Sequence, residues 1–387
     1  MDKSNYPLAI RQANQLFQNK DYQAALIIYE DLYQDTILQD DFSLLNSLVN
    51  TYKNLKAYSF AITLALPHCE KINCPESIKQ TLAWCMYFEY FKRANPIPIE
   101  EAILHIEKQL QLFPLRQGLH PLPLSIFKFI DSSIALSPSA RIQLLDFLNP
   151  TLLAVNLKTG SKPNTSFPSD REKYCTLLSK ALFENQDYLR CIGLCTEMMQ
   201  SGIPLSPNQD IWLKRRIALC KAKTGEMEEA FQMLSELSKQ KPEWYILYEC
   251  ALAAYRLQRY DDSFAYAVQA ASAFGKVEVK IHLWELMKDL FAIQKRFDDS
   301  IAMVKLQAAI RIQMHWSISN SLSQELSSYN IIPDALANFR KLFLELCANV
   351  PELNNTHTNY QQIKHNPSGK NQKPSPSITD GESKQGT

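Results

Sequence analysis

The stretch that decides the fold is Ala13-Asn14-Gln15-Leu16-Phe17-Gln18-Asn19-Lys20-Asp21-Tyr22-Gln23-Ala24-Ala25-Leu26-Ile27-Ile28-Tyr29. A small residue, Ala13, is followed by an aromatic residue, Tyr22, and then by a second small residue, Ala25. Apolar Tyr29 comes one helical turn later. This spacing predicts two helices joined by a short turn. We expect the small residues to lie where the helices cross, because small side chains let two backbones approach closely.

The same register occurs six times along the chain. Consecutive second small residues are separated by 36, 39, 33 and 37 positions, apart from the longer gap between the second and third occurrences. The four positions of each occurrence are, in order, Ala13, Tyr22, Ala25 and Tyr29; Val49, Tyr58, Ala61 and Ala65; Ser179, Tyr188, Cys191 and Cys195; Ala218, Met227, Ala230 and Leu234; Ala251, Tyr260, Ser263 and Ala267; and Lys288, Phe297, Ser300 and Val304. One hairpin cannot bury both of its apolar stripes alone, so the pattern predicts hairpins stacked side by side.

These residues and their period resemble the tetratricopeptide repeat (TPR) superfamily over residues 8–72 and 174–326. The resemblance implies an all-α fold, a TPR-like α-solenoid of antiparallel helix hairpins whose turn aromatics are structural. Residues 169–174 and 211–220 also resemble a block of bacterial TPR proteins that can carry a C-terminal cold-shock-like module. The final residues of this chain show no alternating strand pattern, so we do not expect that module here.

Composition favours a helical, cytoplasmic protein. The formal net charge is +1, so any charged partner must meet a local patch. No apolar run has the length of a signal peptide or a membrane span, and the nine cysteines are odd in number and scattered, as is typical of reduced core residues. The chain has only nine glycines, from which we expect few backbone positions with positive φ.

Four regions are predicted. Residues 1–156 form an N-terminal helical region with two TPR-like hairpins and irregular helices, and residues 157–168, rich in turn formers, form a linker. Residues 169–348 form a C-terminal TPR-like array that ends in a capping helix near 334–348. Residues 349–387 are expected to be a disordered tail, because they contain too few apolar residues to offset the cost of ordering.

The familiar enzymatic motifs are absent from the sequence, so we predict no enzymatic activity and no cofactor. His68, Cys69 and Cys74 lie close together, but zinc needs three or four well-placed ligands, and no metal site is predicted there. Cys191 and Cys195 occupy core positions of the third hairpin and are interpreted as small hydrophobic residues.

Function is expected on the concave surface, which the first helix of each hairpin lines in repeats of this kind. The resemblance to TPR repeats implies which positions before the second small residue face this surface. In hairpins three to five these positions hold cations interleaved with aromatic residues, whereas the sixth hairpin contributes His282, Glu285 and Asp289. The predicted partner-binding groove consists of Lys173, Lys180, Trp212, Arg215, Lys223, Tyr245, Tyr248, Tyr255 and Arg256.

Two functions are compatible with such a groove. The first is a non-enzymatic protein-interaction scaffold, or adaptor, that holds a peptide or helix of a partner, possibly an acidic one, because Trp, Tyr and Arg dominate interface energetics. The alternative is a binder of single-stranded nucleic acid that uses residues 173–256 for base stacking and phosphate pairing. The small net charge favours the protein partner, and no membrane partner is expected.

Overall fold

The computed structural model describes residues 5–35, 37–71, 73–93, 95–113, 121–133, 135–159 and 166–354. The chain divides into two compact units, one up to Cys220 and one from Lys221. The predicted all-α fold is confirmed in both, apart from one ladder of two-residue strands. The division falls inside the predicted array of residues 169–348 and not at the predicted linker.

The first unit contains ten helices and most of an eleventh within its described residues. They are α1 (Tyr6–Gln18), α2 (Tyr22–Tyr33), α3 (Phe42–Asn54), α4 (Tyr58–Cys69), α5 (Glu76–Met86), α6 (Ile99–Leu112), α7 (Leu122–Ser132), α8 (Pro138–Asp146), α9 (Asp170–Glu184), α10 (Tyr188–Gln200) and α11 (Gln209–Thr224), the last of which contains the division. A π-helical turn, Tyr87–Phe91, continues α5.

The ends of the predicted linker form strands. β1 (Lys158–Thr159) pairs antiparallel with β2 (Ser166–Phe167), and Lys158 lies opposite Phe167. Residues 160–165 lie outside the described residues. Directly after this ladder, the Ser169 hydroxyl accepts the backbone N–H of Glu172 and starts α9 as its N-cap.

The second unit consists of hairpins followed by two shorter helices. Its helices are α12 (Met227–Gln240), α13 (Trp244–Arg256), α14 (Tyr260–Ser272), α15 (Ile281–Ile293), α16 (Phe297–Gln313), α17 (Asn320–Ser328) and α18 (Phe339–Asn349). The helix predicted near 334–348 is α18, which packs against α16 through buried Phe343 and Leu346.

The start of the predicted tail needs a correction. Val350 and Leu353 are buried in the core of the second unit, and Pro351–Leu353 forms a short 3-10 turn, because these two apolar side chains extend the buried surface of α18. The described fold therefore continues to residue 354, and residues 355–387 lie outside the described residues.

Within a hairpin the two helices run antiparallel. In the first hairpin the rings of Phe17 and Tyr22 meet at the turn with centroids 5.2 Å apart. Farther from the turn, the Tyr29 hydroxyl donates to Asn14 Oδ1 over a distance of 2.6 Å. Contacts between residues increasingly distant from the turn are the mark of an antiparallel pair. Edge-on turn pairs of the same kind join Phe183 with Tyr188 and Tyr255 with Tyr260.

The predicted crossing residues are buried. Ala13, Ala25, Ala218, Ala230 and Ala251 are fully buried. Where serine or cysteine replaces the second alanine, its side chain donates across the crossing to the carbonyl of the first position. The pairs are Cys191 Sγ to Ser179 O at 3.3 Å, Ser263 Oγ to Ala251 O at 2.8 Å and Ser300 Oγ to Lys288 O at 3.0 Å. These polar side chains are therefore satisfied without disturbing the close approach.

The left-handed positions of the turns are occupied mostly by residues other than glycine. Lys20 has φ 65°, its N–H donates to Phe17 O, and the next N–H, that of Asp21, donates to Leu16 O. This left-handed turn satisfies the last carbonyls of a helix. Eight non-glycine residues among those described adopt positive φ: Lys20, Lys56, Gln186, Asn208, Gln258, Lys295, His315 and Asn330. Glycine scarcity therefore reflects the use of other residues in the turns.

All nine cysteines are free and buried, as predicted. Among the described residues, no helix combines the length and apolar character that crossing a membrane requires.

Candidate functional site

In the first unit, the two predicted groove lysines of α9 face carboxylates. Lys173 Nζ lies 2.7 Å from Asp131 Oδ2, and 5.4 Å from the centroid of the Phe127 ring, both on α7. Lys180 Nζ lies 3.9 Å from Glu184 Oε1, one turn later on the same helix. The α9 cations are therefore engaged with neighbouring side chains of the protein itself.

Trp212 and Arg215 form a unit on α11. The Arg215 guanidinium lies 5.6 Å from the centroid of the Trp212 ring, a cation–π arrangement that orients both side chains. The neighbouring basic residues contact other partners: Arg216 lies over the ring of Phe183 at 5.3 Å, and Lys214 Nζ is 3.7 Å from Asp210 Oδ2. The basic run is thus divided among different contacts.

In the second unit, α13 carries the predicted tyrosines. Tyr248 and Tyr255 are half-buried and pack against the core of the unit, and Tyr245 meets the Trp244 ring edge-on with centroids 5.8 Å apart. Arg256, at the end of α13, and Lys223, at the end of α11, are exposed. Half-buried tyrosines present a rigid ring and a hydroxyl to a ligand at a low cost in conformational entropy.

The predicted groove residues of α15 are ionisable. Glu285 accepts from His282 Nδ1 at 2.8 Å and from Arg311 Nη2 at 3.0 Å. Burial alone raises the pKa of Glu285, but the hydrogen bonds and charges of these two partners outweigh burial and hold its pKa below the usual value. The carboxylate is therefore ionised and fixed in position.

One turn further along α15, Lys288 Nζ lies 2.6 Å from Glu325 Oε1 on α17 and 3.4 Å from Asp289 Oδ1. Burial lowers the pKa of Lys288, but the two carboxylates overcome burial and raise it. The sequence predicted a helix crossing at this position, with a lysine in place of the small residue, and the Ser300 hydroxyl does donate to Lys288 O there. The Lys288 side chain in addition forms a charged link from α15 to α17.

The charge of Asp289 on α15 acts on the phenol of Tyr255 on α13. Burial raises the pKa of the Tyr255 phenol, and the negative charge of Asp289 raises it further. We use the name α13–α15 face for four side chains of the second unit, Tyr248 and Tyr255 on α13 and Glu285 and Asp289 on α15.

Sequence reasoning did not identify Arg311 and Glu325, which are the partners of charged side chains on α15. Both lie outside the first helices of the hairpins, Arg311 on α16 and Glu325 on α17. Their ion pairs with Glu285 and Lys288 depend on how α16 and α17 pack after the last hairpin, for which the repeat register gives no signal.

Among the described residues, no group of three or more His, Cys, Asp or Glu side chains is arranged to hold a metal ion. The neighbouring thiols of Cys69 and Cys74 lie 3.4 Å apart and are buried together.

Comparison with known proteins gave similarity to solved structures only. No family model and no curated protein matches the chain. A chain in the structure of Naa15/Naa10 bound to HypK-THB is 13% identical with a TM-score of 0.43, and the match covers 92% of this chain and 54% of that chain. The chain therefore spans about half the length of that protein.

Two further solved structures are TPR proteins, the class of fold predicted from the sequence. The TPR2AB domain of yeast Sti1, solved as a complex with pHSP90, is 13% identical, with a TM-score of 0.27, and the match covers 75% of this chain and 98% of that chain. A tetratricopeptide repeat protein from Parabacteroides merdae is also 13% identical, with a TM-score of 0.30 and coverage of 73% and 98%.

Proposed function

We propose that this protein is a non-enzymatic adaptor that binds an extended or helical segment of a protein partner. The observation that carries the proposal is the α13–α15 face, where Tyr248 and Tyr255 are half-buried on α13 and Asp289 of α15 keeps 48% of its side chain exposed. In the first unit, Trp212 and Arg215 of α11 are held together by their cation–π contact and offer an aromatic ring and a guanidinium to a partner. Tyrosine, tryptophan and arginine are the side chains on which interface energies concentrate.

The α13–α15 face and the Trp212–Arg215 pair favour different chemical groups of a partner. The exposed carboxylate of Asp289 favours a partner segment with a cation beside an apolar side chain, whereas Arg215 favours an acidic or carbonyl group. Free, buried cysteines support a reducing compartment such as the cytoplasm as the place of this interaction.

The test is a triple variant, Trp212→Ala, Arg215→Ala and Tyr248→Ala, in the full-length chain. Affinity purification with mass spectrometry first identifies partners of the unmodified protein, and the affinity of the partner is then measured for each variant. We expect the triple variant to lose at least tenfold in affinity while its helical circular dichroism is unchanged.

The matched control removes the same residue types elsewhere: Trp316→Ala, Arg340→Ala and Tyr329→Ala, all at exposed positions. We expect this control to bind the partner as the unmodified protein does. Equal affinity of the two triple variants would reject the proposed surface.

Binding of single-stranded nucleic acid is the second candidate, favoured by the Trp212–Arg215 pair, which could stack on a base. The formal net charge of +1 counts against it, because nucleic-acid binding needs a basic footprint. Nucleic-acid binding predicts that affinity for a single-stranded oligonucleotide falls steeply with salt. We expect no such salt-dependent binding.

A further inference from the structure

A cleft of about 370 Å³ lies in the first unit between α9, α10 and the 3-10 turn that begins at Pro150. It is separate from every residue of the proposed groove. Its volume falls within the range of small-molecule sites, roughly 300–1,000 Å³. Its position and composition were not singled out by the sequence.

The walls of the cleft are apolar. Leu178 on α9 and Leu194 and Met198 on α10 line it, together with the buried ring of Tyr174. These side chains offer a ligand hydrocarbon contacts but few hydrogen bonds. An apolar chain or ring is the group that gains most from entering such a space.

The rim of the cleft carries two guanidinium groups. Arg171 Nη2 lies 3.2 Å from Glu197 Oε1, and Arg190 Nη2 lies 2.7 Å from Asp146 Oδ1. Both carboxylates are open to solvent, with 68% of the Glu197 side chain and 47% of the Asp146 side chain exposed. Ion pairs at such exposed positions contribute little, so a ligand anion can take the place of either carboxylate.

Gly193 opens the cleft on the α10 side. It lies in the middle of a helix, where glycine costs stability, and a Cβ at this position would meet no atom within 4 Å. Neither a tight turn nor a close backbone approach requires glycine here. Its effect on the structure is to leave the entrance of the cleft free.

We propose that this cleft binds a small amphipathic carboxylate. The carboxylate lies between Arg171 and Arg190, and the hydrocarbon part lies on Leu178, Leu194 and Met198. Guanidinium groups bind carboxylates through charge-assisted hydrogen bonds, while the apolar walls select a ligand that carries a hydrocarbon chain or ring.

The experiment titrates decanoate into the full-length protein by isothermal calorimetry below the micelle concentration, with 1-decanol and acetate as comparison ligands. A Kd at or below about 1 mM is the affinity expected for a ligand of this size. We expect binding of decanoate at least tenfold tighter than that of either comparison ligand.

Two variants of Gly193 locate the binding. Gly193→Ala adds only a methyl group at an open helical position, and we expect decanoate to bind it as it binds the unmodified protein. Gly193→Leu fills the entrance, and we expect at least a tenfold loss of affinity. Because both changes improve helix propensity, both proteins are expected to fold, which circular dichroism checks.

A third variant tests the charge. Arg171→Gln with Arg190→Gln should abolish the preference for decanoate over decanol. Absence of decanoate binding, equal binding of decanol, or unchanged affinity in Gly193→Leu would each overturn the proposal. None of these results bears on the proposed adaptor function, because the residues proposed for it are tested with different variants.

Discussion

Lys280 is a buried lysine that joins α14 to the start of α15. Its side chain is only 2% exposed, and its Nζ lies within hydrogen-bonding distance of three backbone carbonyls, those of Ala270 at 3.1 Å, Ala271 at 2.8 Å and Ala273 at 2.6 Å. These carbonyls belong to the C-terminal end of α14, where helical partners run out, and a neutral amine can donate to two of them. The connection between hairpins five and six therefore depends on one amine.

Burial lowers the pKa of Lys280 from 10.5 to about 7, while Cys347 acts weakly in the opposite direction. In the unfolded chain the amine keeps its ordinary, higher pKa. Between these two values the unfolded state holds a proton that the folded state has lost, so folding becomes more favourable as the pH rises. The stability that this amine contributes is lost as the pH falls from about 10.5 to about 7, and it does not decrease further below pH 7.

The perturbation is Lys280→Met, which removes the titrating group and keeps much of the side-chain volume. Each pH unit between about 7 and 10.5 is worth about 1.4 kcal/mol. From pH 7 to pH 8.5 the free energy of unfolding of the unmodified protein should therefore increase by about 2 kcal/mol relative to that of the variant. The comparison ends at pH 8.5 because burial also raises the pKa of Cys347 to about 12, and thiols of the unfolded chain ionise above this range.

The assay is urea unfolding at pH 6, 7 and 8.5, followed by tryptophan fluorescence. Trp284 reports on this connection, because its indole N–H donates to Val277 O at 2.9 Å. Lys239→Met, at an exposed position of α12, is the control and should show no pH-dependent difference from the unmodified protein. If the stability of Lys280→Met follows that of the unmodified protein in parallel from pH 7 to 8.5, the reasoning about the buried amine is refuted.

Two further predictions concern the repeat itself. Lys56 has φ 61°, so Lys56→Gly should raise the free energy of unfolding by about 1 kcal/mol. Lys53→Gly, within α3, should lower it by a similar amount, and thermal denaturation distinguishes the two variants. Ala230 is fully buried at a crossing, so Ala230→Leu should destabilise by about 2 kcal/mol or more in urea unfolding, and exposed Ala292→Leu should change stability little. A stable Ala230→Leu protein would show that the crossing does not need a small residue.

The sequence predicted the hairpins well because the constraint on them is local. Small residues such as Ala25 and Ala230 are required wherever two helices cross, and their spacing is visible without any knowledge of the partner helix. The sequence did not identify which residues of the turns adopt a left-handed conformation. Glycine is the usual marker of a left-handed position, yet Lys20 and Gln258 adopt it here, and nothing in those residue types indicates it.

The candidate groove stays a prediction. The register placed Tyr255 of α13 and Asp289 of α15 on one surface, and the negative charge of Asp289 raises the pKa of the Tyr255 phenol. It gave no information on which charges are already paired within the protein. The Lys173–Asp131 ion pair joins helices that are far apart in the sequence, so only the packing of α7 against α9 could reveal it.

The pairing of charges decides which part of the α13–α15 face is available to a partner. Both oxygens of Glu285 accept hydrogen bonds, and Lys288 is engaged by Glu325, so these groups mainly fix α15 to α16 and α17. Asp289 keeps 48% of its side chain exposed beside Tyr255. Breaking the internal pairs would cost a partner part of its binding energy. Partner selectivity should therefore depend on Asp289 and the tyrosines of α13 more than on the other charges of α15.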